Sequence, residues 1–179
     1  PGTVRALAPA HQRYGKLPWK DVLIPVAELC EQGVPVPEVI AWYLERNMAG
    51  FDRASAQIEE NDNRKKVYRP HGRTPKTGEI FANPDLGRTY RMIAEGGRDA
   101  FYKGRIANII GDYMKVNEGF LSAADLAAHR GEWVEPLSTN YRGYDVWELP
   151  PNGQGVAALT MLNILEAYDF KKIEFGSVE

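Results

Sequence analysis

The sequence lacks the features that mark disulfide-rich, membrane-spanning and nucleic-acid-binding proteins. One cysteine, Cys30, is present among 179 residues, so no disulfide can form within the chain. No apolar run approaches the ~18 residues of a membrane-spanning helix. A net charge of -2 gives no overall attraction to nucleic acid or to an anionic membrane surface. We therefore expect neither a membrane span nor a nucleic-acid partner.

Signatures of self-contained catalysis are also missing. No Gly-x-Ser-x-Gly elbow is present, and Cys30 falls on the apolar face of a predicted helix, which favours a core role. His11, His71 and His129 are far apart in sequence and form no pair with metal-ligand spacing. The residue types alone therefore predict no catalytic residue, no metal site and no cofactor.

Composition is typical of a folded globular protein. Hydrophobic residues make up 44% and charged residues 26%, and the length suits one domain with a real core. The chain begins with Pro1 rather than Met and has no signal peptide, which would consist of a basic segment followed by an apolar one. The residues that lead to Glu179 form no obvious C-terminal end. These features predict a single segment over residues 1–179 that is incomplete or processed at both ends.

Apolar residues recur at helical spacing over most of the chain. Helix ends are predicted at Gly15, Gly33, the Gly96-Gly97 pair and Gly119, and helix starts at Asn83-Pro84 and at Ser122 with Asp125. The second helix follows Leu17-Pro18-Trp19 and is predicted to turn Val22, Val26 and Leu29 inward.

Residues 52–82 give the weakest structural signal. Val67-Tyr68 and Ile80-Phe81 are predicted to be the short strands of a hairpin around Pro70-His71-Gly72. The basic cluster Arg64-Lys65-Lys66 is flanked by acidic residues, which favours a solvated loop over a nucleic-acid site. We interpret residues 52–82 as a polar loop or hairpin excursion from the core.

A strand–turn–helix unit is predicted near the C-terminal end. Strands over 134–141 and 144–149 are joined by Arg142-Gly143, and a helix follows from Val156. The intervening Asn152-Gly153-Gln154-Gly155 lacks the third glycine of a dinucleotide loop and the Lys of a P-loop. Two interpretations stay open: a sharp structural turn, or substrate contact by Asn152, Gly153 and Gln154 at a helix start.

Several short sequence motifs, taken in their order along the chain, resemble those of a known family, although no single motif would be specific. In chain order these are Pro1-Gly2-Thr3-Val4, Tyr14-Gly15-Lys16-Leu17-Pro18-Trp19, Asn83-Pro84-Asp85-Leu86, Ile93-Ala94-Glu95-Gly96-Gly97, Phe101-Tyr102-Lys103-Gly104, Tyr141-Arg142-Gly143-Tyr144, Pro150-Pro151 and Leu162-Asn163-Ile164-Leu165-Glu166. Over nearly the whole chain, this order is similar to the large subunit of the gamma-glutamyltransferase (gamma-glutamyltranspeptidase) family.

That resemblance implies a fold and a mechanism. The family belongs to the N-terminal-nucleophile hydrolases, so we expect an α+β chain that is a helix-rich fragment of a four-layer αββα sandwich. A precursor cuts itself, and a Thr at the new N-terminus of the small (beta) subunit becomes the nucleophile, with its own α-amino group as base. The resemblance assigns no catalytic residue to this chain, which is expected to be inactive alone.

The resemblance also implies partners and a substrate class. The partners are the small subunit and the remainder of the large subunit, and the substrate is a small gamma-glutamyl amide such as glutathione. A periplasmic or secreted location is favoured, with a cytoplasmic one left open. The turn Asn152-Gly153-Gln154-Gly155 differs from the Ser-containing turn of many of these transferases. It is closer to the cephalosporin or glutaryl acylase branch, which is the alternative within the enzyme class.

An alternative from a different class is a non-catalytic helical scaffold or binding module. That interpretation is disfavoured because the two predicted strands would leave an unpaired sheet edge with apolar faces.

Overall fold

The computed structural model describes residues 2–57 and 59–178, and the chain divides into two compact units, Pro1–Arg130 and Gly131–Glu179. The first unit contains α1 (Gly2–Tyr14), α2 (Trp19–Gln32), β1 (Val34–Pro35), α3 (Glu38–Arg53), α4 (Asn61–Tyr68), β2 (Ile80–Phe81), α5 (Pro84–Tyr102), α6 (Arg105–Val116) and α7 (Ala123–Ala128). The second contains β3 (Leu137–Tyr141), β4 (Tyr144–Glu148) and α8 (Gly155–Glu166). None of the helices in the described residues has the length and apolar content needed to cross a membrane.

The first unit is organised by the close packing of α2 against α5. Ala27 of α2 is completely buried, and Gly87 of α5 lies so close that a Cβ on Gly87 would be 3.0 Å from the Ala27 carbonyl oxygen. Arg91 adds two hydrogen bonds of 2.6 Å to the Glu31 carboxylate. Small residues therefore set the distance between these helices, and a paired charge fixes their register.

This packing corrects the predicted inner face of the second helix. Val22 is 44% exposed, Val26 38% and Leu29 53%, whereas Ala27 is buried. The prediction weighted side-chain hydrophobicity, but a close helix–helix contact selects small side chains. Pro25 lies within one continuous helix, since α2 runs from Trp19 to Gln32.

Helix starts were predicted from local capping signals, and two of them are confirmed. Asn83 accepts a hydrogen bond from the Leu86 N–H at 3.1 Å, with Pro84 at the first helical position. Ser122 and Asp125 form a reciprocal capping box at the start of α7. The pKa of Asp125 is lowered mainly by the hydrogen bond from the Ser122 hydroxyl and secondly by the one from the Ser122 N–H. Both signals are local, which is why the sequence reveals them.

The predicted break at Gly96-Gly97 is present but does not end α5. Gly97 has φ 64° and ψ −162°, a conformation that favours glycine, and helical structure resumes as far as Tyr102. Tyr102 is completely buried and packs with Ala107 and Leu126 in the core of the first unit. Residues 101–102 are therefore the last two residues of α5.

The hairpin predicted within residues 52–82 is wrong. Val67-Tyr68 ends the helix α4, and Ile80-Phe81 pairs antiparallel with Val34-Pro35 instead. Arg64 connects α4 to α3 through a 2.9 Å ion pair with Asp52, and it also donates a hydrogen bond to Asn61 within α4. The observed partner of Ile80-Phe81, the segment Val34-Pro35, lies more than 40 residues earlier in the chain. A local turn pattern carries no information about such a distant partner.

The loop before β2 is ordered by one carboxylate. Glu79 accepts hydrogen bonds from Arg73 at 2.7 and 2.8 Å and from the Lys76 N–H at 2.9 Å. These hydrogen bonds lower the pKa of Glu79 to about 2, and those from Arg73 contribute more than the one from the Lys76 N–H. Because the pKa is depressed, the stabilisation is present above the ordinary value of 4.5 and is lost as pH falls through about 2.

Glu79→Gln tests this arrangement. We expect the variant to be less stable than the wild type at neutral pH, because the amide keeps the shape but loses the charge. The difference should shrink below pH 4.5 and vanish near pH 2. Denaturant unfolding of both proteins across this pH range measures it, and a difference that is independent of pH would contradict the assignment.

In the second unit, a two-residue turn joins β3 to β4. The pairing of Tyr141 with Tyr144 leaves Arg142 and Gly143 in the turn, with φ of 52° and 87°. Positive φ at both positions matches the twist of a tight hairpin. The predicted turn is confirmed, and the strands are shorter than expected, beginning at Leu137 and ending at Glu148.

Candidate functional site

The candidate site lies in the second unit, where β4 leads through a turn into α8. The hairpin is fixed to α8 by hydrogen bonds from Thr139 to Asn163 and from Arg142 to Glu166, and to the residues just after α8 by a second bond from Arg142. The Arg142 N–H donates to Glu166 at 3.2 Å, and its guanidinium donates to the Tyr168 carbonyl at 2.9 Å. Since Arg142 contacts the C-terminal end of α8, the helix N-terminus lies at the far end of the hairpin.

Gly155 makes this turn possible. A Cβ on Gly155 would be 2.5 Å from the Leu149 carbonyl oxygen and 2.7 Å from the Glu148 Cβ. A Cβ on Gly153 would meet no atom of residues 2–57 and 59–178 within 4 Å. The close approach of α8 to the end of β4 therefore requires glycine at position 155 and leaves position 153 open.

Asn152, Gly153 and Gln154 lie together on the exposed side of this turn. Gln154 is the N-cap of α8, and its carbonyl accepts from the Ala157 and Ala158 N–H groups at 3.0 and 3.2 Å. Its side chain does not cap the helix. Neutral amide groups at a helix start can bind a carboxylate or an amide but cannot serve as nucleophile or base.

A carboxylate that sequence reasoning missed borders this turn. Glu148 Oε2 lies 3.0 Å from the position that a Gly155 Cβ would occupy, so a negative charge lies beside the start of α8. Glu148 and Val146 are the partly buried positions of β4 and lie two residues apart, on one face of the strand. The sequence gives no sign of the contact between Glu148 and Gly155, because that contact arises only when the chain reverses.

The other residues considered from sequence do not assemble a reactive centre. His11 Nε2 lies 2.9 Å from the Leu17 carbonyl oxygen. His129 follows the last residue of α7, and its ring is nearly perpendicular to that of Tyr102, with the ring centroids 5.8 Å apart. His71 is exposed, and Cys30 is half-buried in α2. Over residues 2–57 and 59–178, no three His, Cys, Asp or Glu side chains are grouped so that they could hold a metal ion.

A cleft of about 400 Å³ lies beside the break in α5. Trp19 forms one wall, and its indole N–H donates to the Ile93 carbonyl at 3.0 Å. Asp99 is paired with Arg98 at 3.0 Å and Lys103 at 3.1 Å. The hydrogen bond from Lys103, then that from Arg98, lowers the pKa of Asp99. A carboxylate held ionised in this way suits an ion pair better than a general acid.

The architecture defines the class of protein. The chain has the fold of a helix-rich segment of the N-terminal-nucleophile hydrolases and superposes on solved enzymes of that group. The sequence model of the gamma-glutamyltranspeptidase family matches residues 1–179, and the chain belongs to this family. The resemblance and the fold class expected from the sequence are both confirmed.

Three proteins illustrate the similarity. The chain is 38% identical over its whole length to the glutathione hydrolase-like YwrD proenzyme of Bacillus subtilis (strain 168), covering 33% of that protein. Cephalosporin acylase from Bacillus halodurans is 38% identical, with a TM-score of 0.82 over 93% of this chain and 31% of that one. Gamma-glutamyltranspeptidase from Pseudomonas nitroreducens is 31% identical, with a TM-score of 0.79 over 99% of this chain and 51% of that one.

The chain spans about a third of the length of the curated relatives that it matches. Several of those relatives are named as proenzymes, among them the glutathione hydrolase proenzyme of Escherichia coli (strain K12). The relatives that carry curated names in this family are glutathione hydrolases and acylases.

Proposed function

We propose that this chain is a segment of the large subunit of a two-subunit gamma-glutamyltransferase-like enzyme. One observation carries the proposal: the family match extends over residues 1–179, while these residues make up about a third of a full-length relative. In this proposal the segment is incomplete at both ends. It helps to frame a site whose nucleophile belongs to the separate small subunit.

The proposed reaction transfers a gamma-glutamyl group in two steps. The hydroxyl of an N-terminal Thr on the small subunit attacks the carbonyl carbon of the gamma-glutamyl amide, and the amine leaves with a proton. Water or a second amine then attacks the resulting ester, releasing glutamate or a new gamma-glutamyl amide. The α-amino group of the same Thr accepts and returns the proton, so no histidine partner is needed.

Within this reaction, Asn152, Gly153 and Gln154 are the proposed substrate contacts of the segment. Their exposure on the turn, together with the neighbouring N-terminus of α8, suits hydrogen bonds to the polar end of an acyl group. Glutathione and related amides are the proposed substrates. This segment alone is expected to be inactive.

Purification of the complete protein tests the proposal. We expect intact mass measurement and N-terminal sequencing to find two polypeptides, the smaller beginning with Thr. The mature protein should hydrolyse gamma-glutamyl p-nitroanilide, and a Thr→Ala precursor should stay uncut and inactive. A single uncut wild-type polypeptide that is active on the same substrate would refute the two-subunit proposal.

A second candidate function is that of a cephalosporin or glutaryl acylase. It is supported by the Asn152-Gly153-Gln154-Gly155 turn and by the similarity to the Bacillus halodurans cephalosporin acylase. A glutaryl group lacks the α-ammonium of a gamma-glutamyl group, so the two acyl groups differ by one charge. The ratio of kcat/KM for glutaryl and gamma-glutamyl p-nitroanilide separates the candidates: a ratio well above 1 favours the acylase.

A further inference from the structure

An Asn-Gly pair occurs once in the sequence, at Asn152-Gly153. It lies in the turn between β4 and α8, where residues 151–154 are all exposed. Asparagine is one of the thermally labile residue types. A glycine that follows it has no Cβ to shield the backbone nitrogen or to restrict the backbone angles. This turn therefore combines a reactive side chain with a backbone nitrogen that is open to reaction.

Both groups that would react are free of hydrogen bonds within the described residues. Neither the Asn152 carboxamide nor the Gly153 N–H has a partner in residues 2–57 and 59–178. The first hydrogen bonds of α8 are accepted by the Gln154 carbonyl, so the Gly153 N–H lies before the helix. A Cβ at position 153 would contact no described atom within 4 Å, which leaves this part of the backbone room to rotate.

Other exposed asparagines lack this combination. Asn47 and Asn108 lie inside α3 and α6. Within an α-helix the N–H of the next residue donates to a carbonyl four positions before it, so it is not available to the side chain. Asn140 holds its amide in two hydrogen bonds of the β3–β4 hairpin, at 2.9 and 3.1 Å. Exposure alone does not single out Asn152; the following glycine and its free N–H do.

We propose that Asn152 is a site of spontaneous deamidation. The Gly153 backbone nitrogen loses its proton to hydroxide and attacks the Asn152 Cγ. A C–N bond forms, the bond from Cγ to Nδ2 breaks, and ammonia leaves from a five-membered succinimide ring. Water then opens the ring at either carbonyl carbon and gives aspartate or isoaspartate. One water is consumed and one ammonia is released, so no oxidant, reductant or second enzyme is required.

The product adds a negative charge to the candidate site. Glu148 Oε2 lies 3.0 Å from the position that a Gly155 Cβ would occupy, so the new carboxylate joins an existing one near the start of α8. Gamma-glutamyl and glutaryl groups both carry a carboxylate, which a second negative charge repels. This consequence rests on the proposed function. Under that function the turn also stays accessible to water, because hydrolysis of the acyl-enzyme requires it.

Peptide mapping of the complete protein by mass spectrometry tests the proposal. During incubation at mildly alkaline pH, the peptide that contains Asn152 should gain the mass difference between a hydroxyl and an amide NH2 group. Isoaspartyl methyltransferase should label the same peptide. The peptides with Asn47 and Asn108 are internal controls and should keep their mass. Gly153→Ala should slow the conversion by about tenfold or more, because a Cβ disfavours the backbone conformations that ring closure needs.

A free peptide of residues 149–156 gives the rate that the sequence allows without the fold. We expect the rate in the folded protein to approach that of the peptide, because the turn leaves both reacting groups free. If the peptide converts while Asn152 in the protein reacts no faster than Asn47 and Asn108, the proposal is overturned.

Activity separates this inference from the proposed function. In the wild type, kcat/KM for gamma-glutamyl p-nitroanilide should fall in parallel with conversion, and Gly153→Ala should keep its own starting value for longer. An unchanged kcat/KM after full conversion leaves the modification in place and contradicts the role of Asn152 as a substrate contact. A protein that is inactive from the start but gains the expected mass removes the proposed reaction and supports the deamidation.

Discussion

Gly155→Ala is expected to abolish most of the activity of the complete enzyme and to destabilise the strand–turn–helix unit. The added methyl group would lie 2.5 Å from the Leu149 carbonyl oxygen and 2.7 Å from the Glu148 Cβ. Neither contact can be relieved by rotating a flexible side-chain end, so α8 must move away from β4. Overpacking of this kind costs roughly 1–3 kcal/mol. The shift also displaces Asn152 and Gln154 from their positions beside the helix start.

Gly153→Ala is the matched control, two residues away in the same turn. An added Cβ at this position contacts no atom within 4 Å in the part of the chain that the structure describes. The substitution should leave stability within about 0.5 kcal/mol or raise it slightly, because alanine restricts the unfolded chain more than glycine does. Thermal unfolding compares the stability of both variants, and kcat/KM for gamma-glutamyl p-nitroanilide measures the activity of Gly155→Ala, because Gly153 is itself a proposed substrate contact. Equal losses of stability in the two variants would show that the packing of Gly155 does not control the turn.

Gly87→Ala is expected to weaken the α2–α5 contact that organises the first unit. The new Cβ would lie 2.7 Å from Glu31 Cγ and 3.0 Å from the Ala27 carbonyl oxygen. The Glu31 side chain can move, but moving it strains the hydrogen bonds to Arg91, and the carbonyl oxygen can move only with its helix. Alanine favours a helix interior over glycine by up to ~1 kcal/mol. We expect the packing cost to exceed that gain and the net loss to be about 1–2 kcal/mol.

Gly50→Ala supplies the opposite expectation. Gly50 also lies inside a helix, but among the described residues its Cβ would meet only the Arg53 Nη2, at 3.9 Å, outside the helix's own backbone. Without a packing cost, the gain in helix propensity remains, and stability should rise by ~0.5–1 kcal/mol. Chemical denaturation of the complete protein gives both values. If the two alanine variants change stability in the same direction, the close approach at Gly87 does not limit the packing of α2 on α5.

Burial of Arg5 was beyond the reach of sequence reasoning. An arginine among Val4, Leu7 and Ala8 on a helix predicts an exposed side chain, because charged residues are rarely buried. Its burial depends on the Tyr102 ring, which lies 97 positions further along the chain. No local pattern joins these two residues. The enclosed side chain became evident only in the folded unit.

The sequence by itself determined the features that depend on neighbouring residues. The caps at Asn83 and at Ser122 with Asp125, and the Arg142-Gly143 turn, each arise from bonds or dihedral angles within a few residues. The order of its short sequence motifs also indicated the gamma-glutamyltranspeptidase family, because an ordered set of motifs is far more specific than any one of them.

Only the tertiary structure decided which surfaces meet. It selected Ala27 rather than Val22 as the buried position of α2, and it paired Ile80-Phe81 with Val34-Pro35 rather than with Val67-Tyr68. The reason is physical: the face that a helix buries and the partner that a strand takes depend on shape complementarity between distant segments. Neighbouring residues fix backbone conformation, whereas contact between elements is fixed by the space that each leaves for the other.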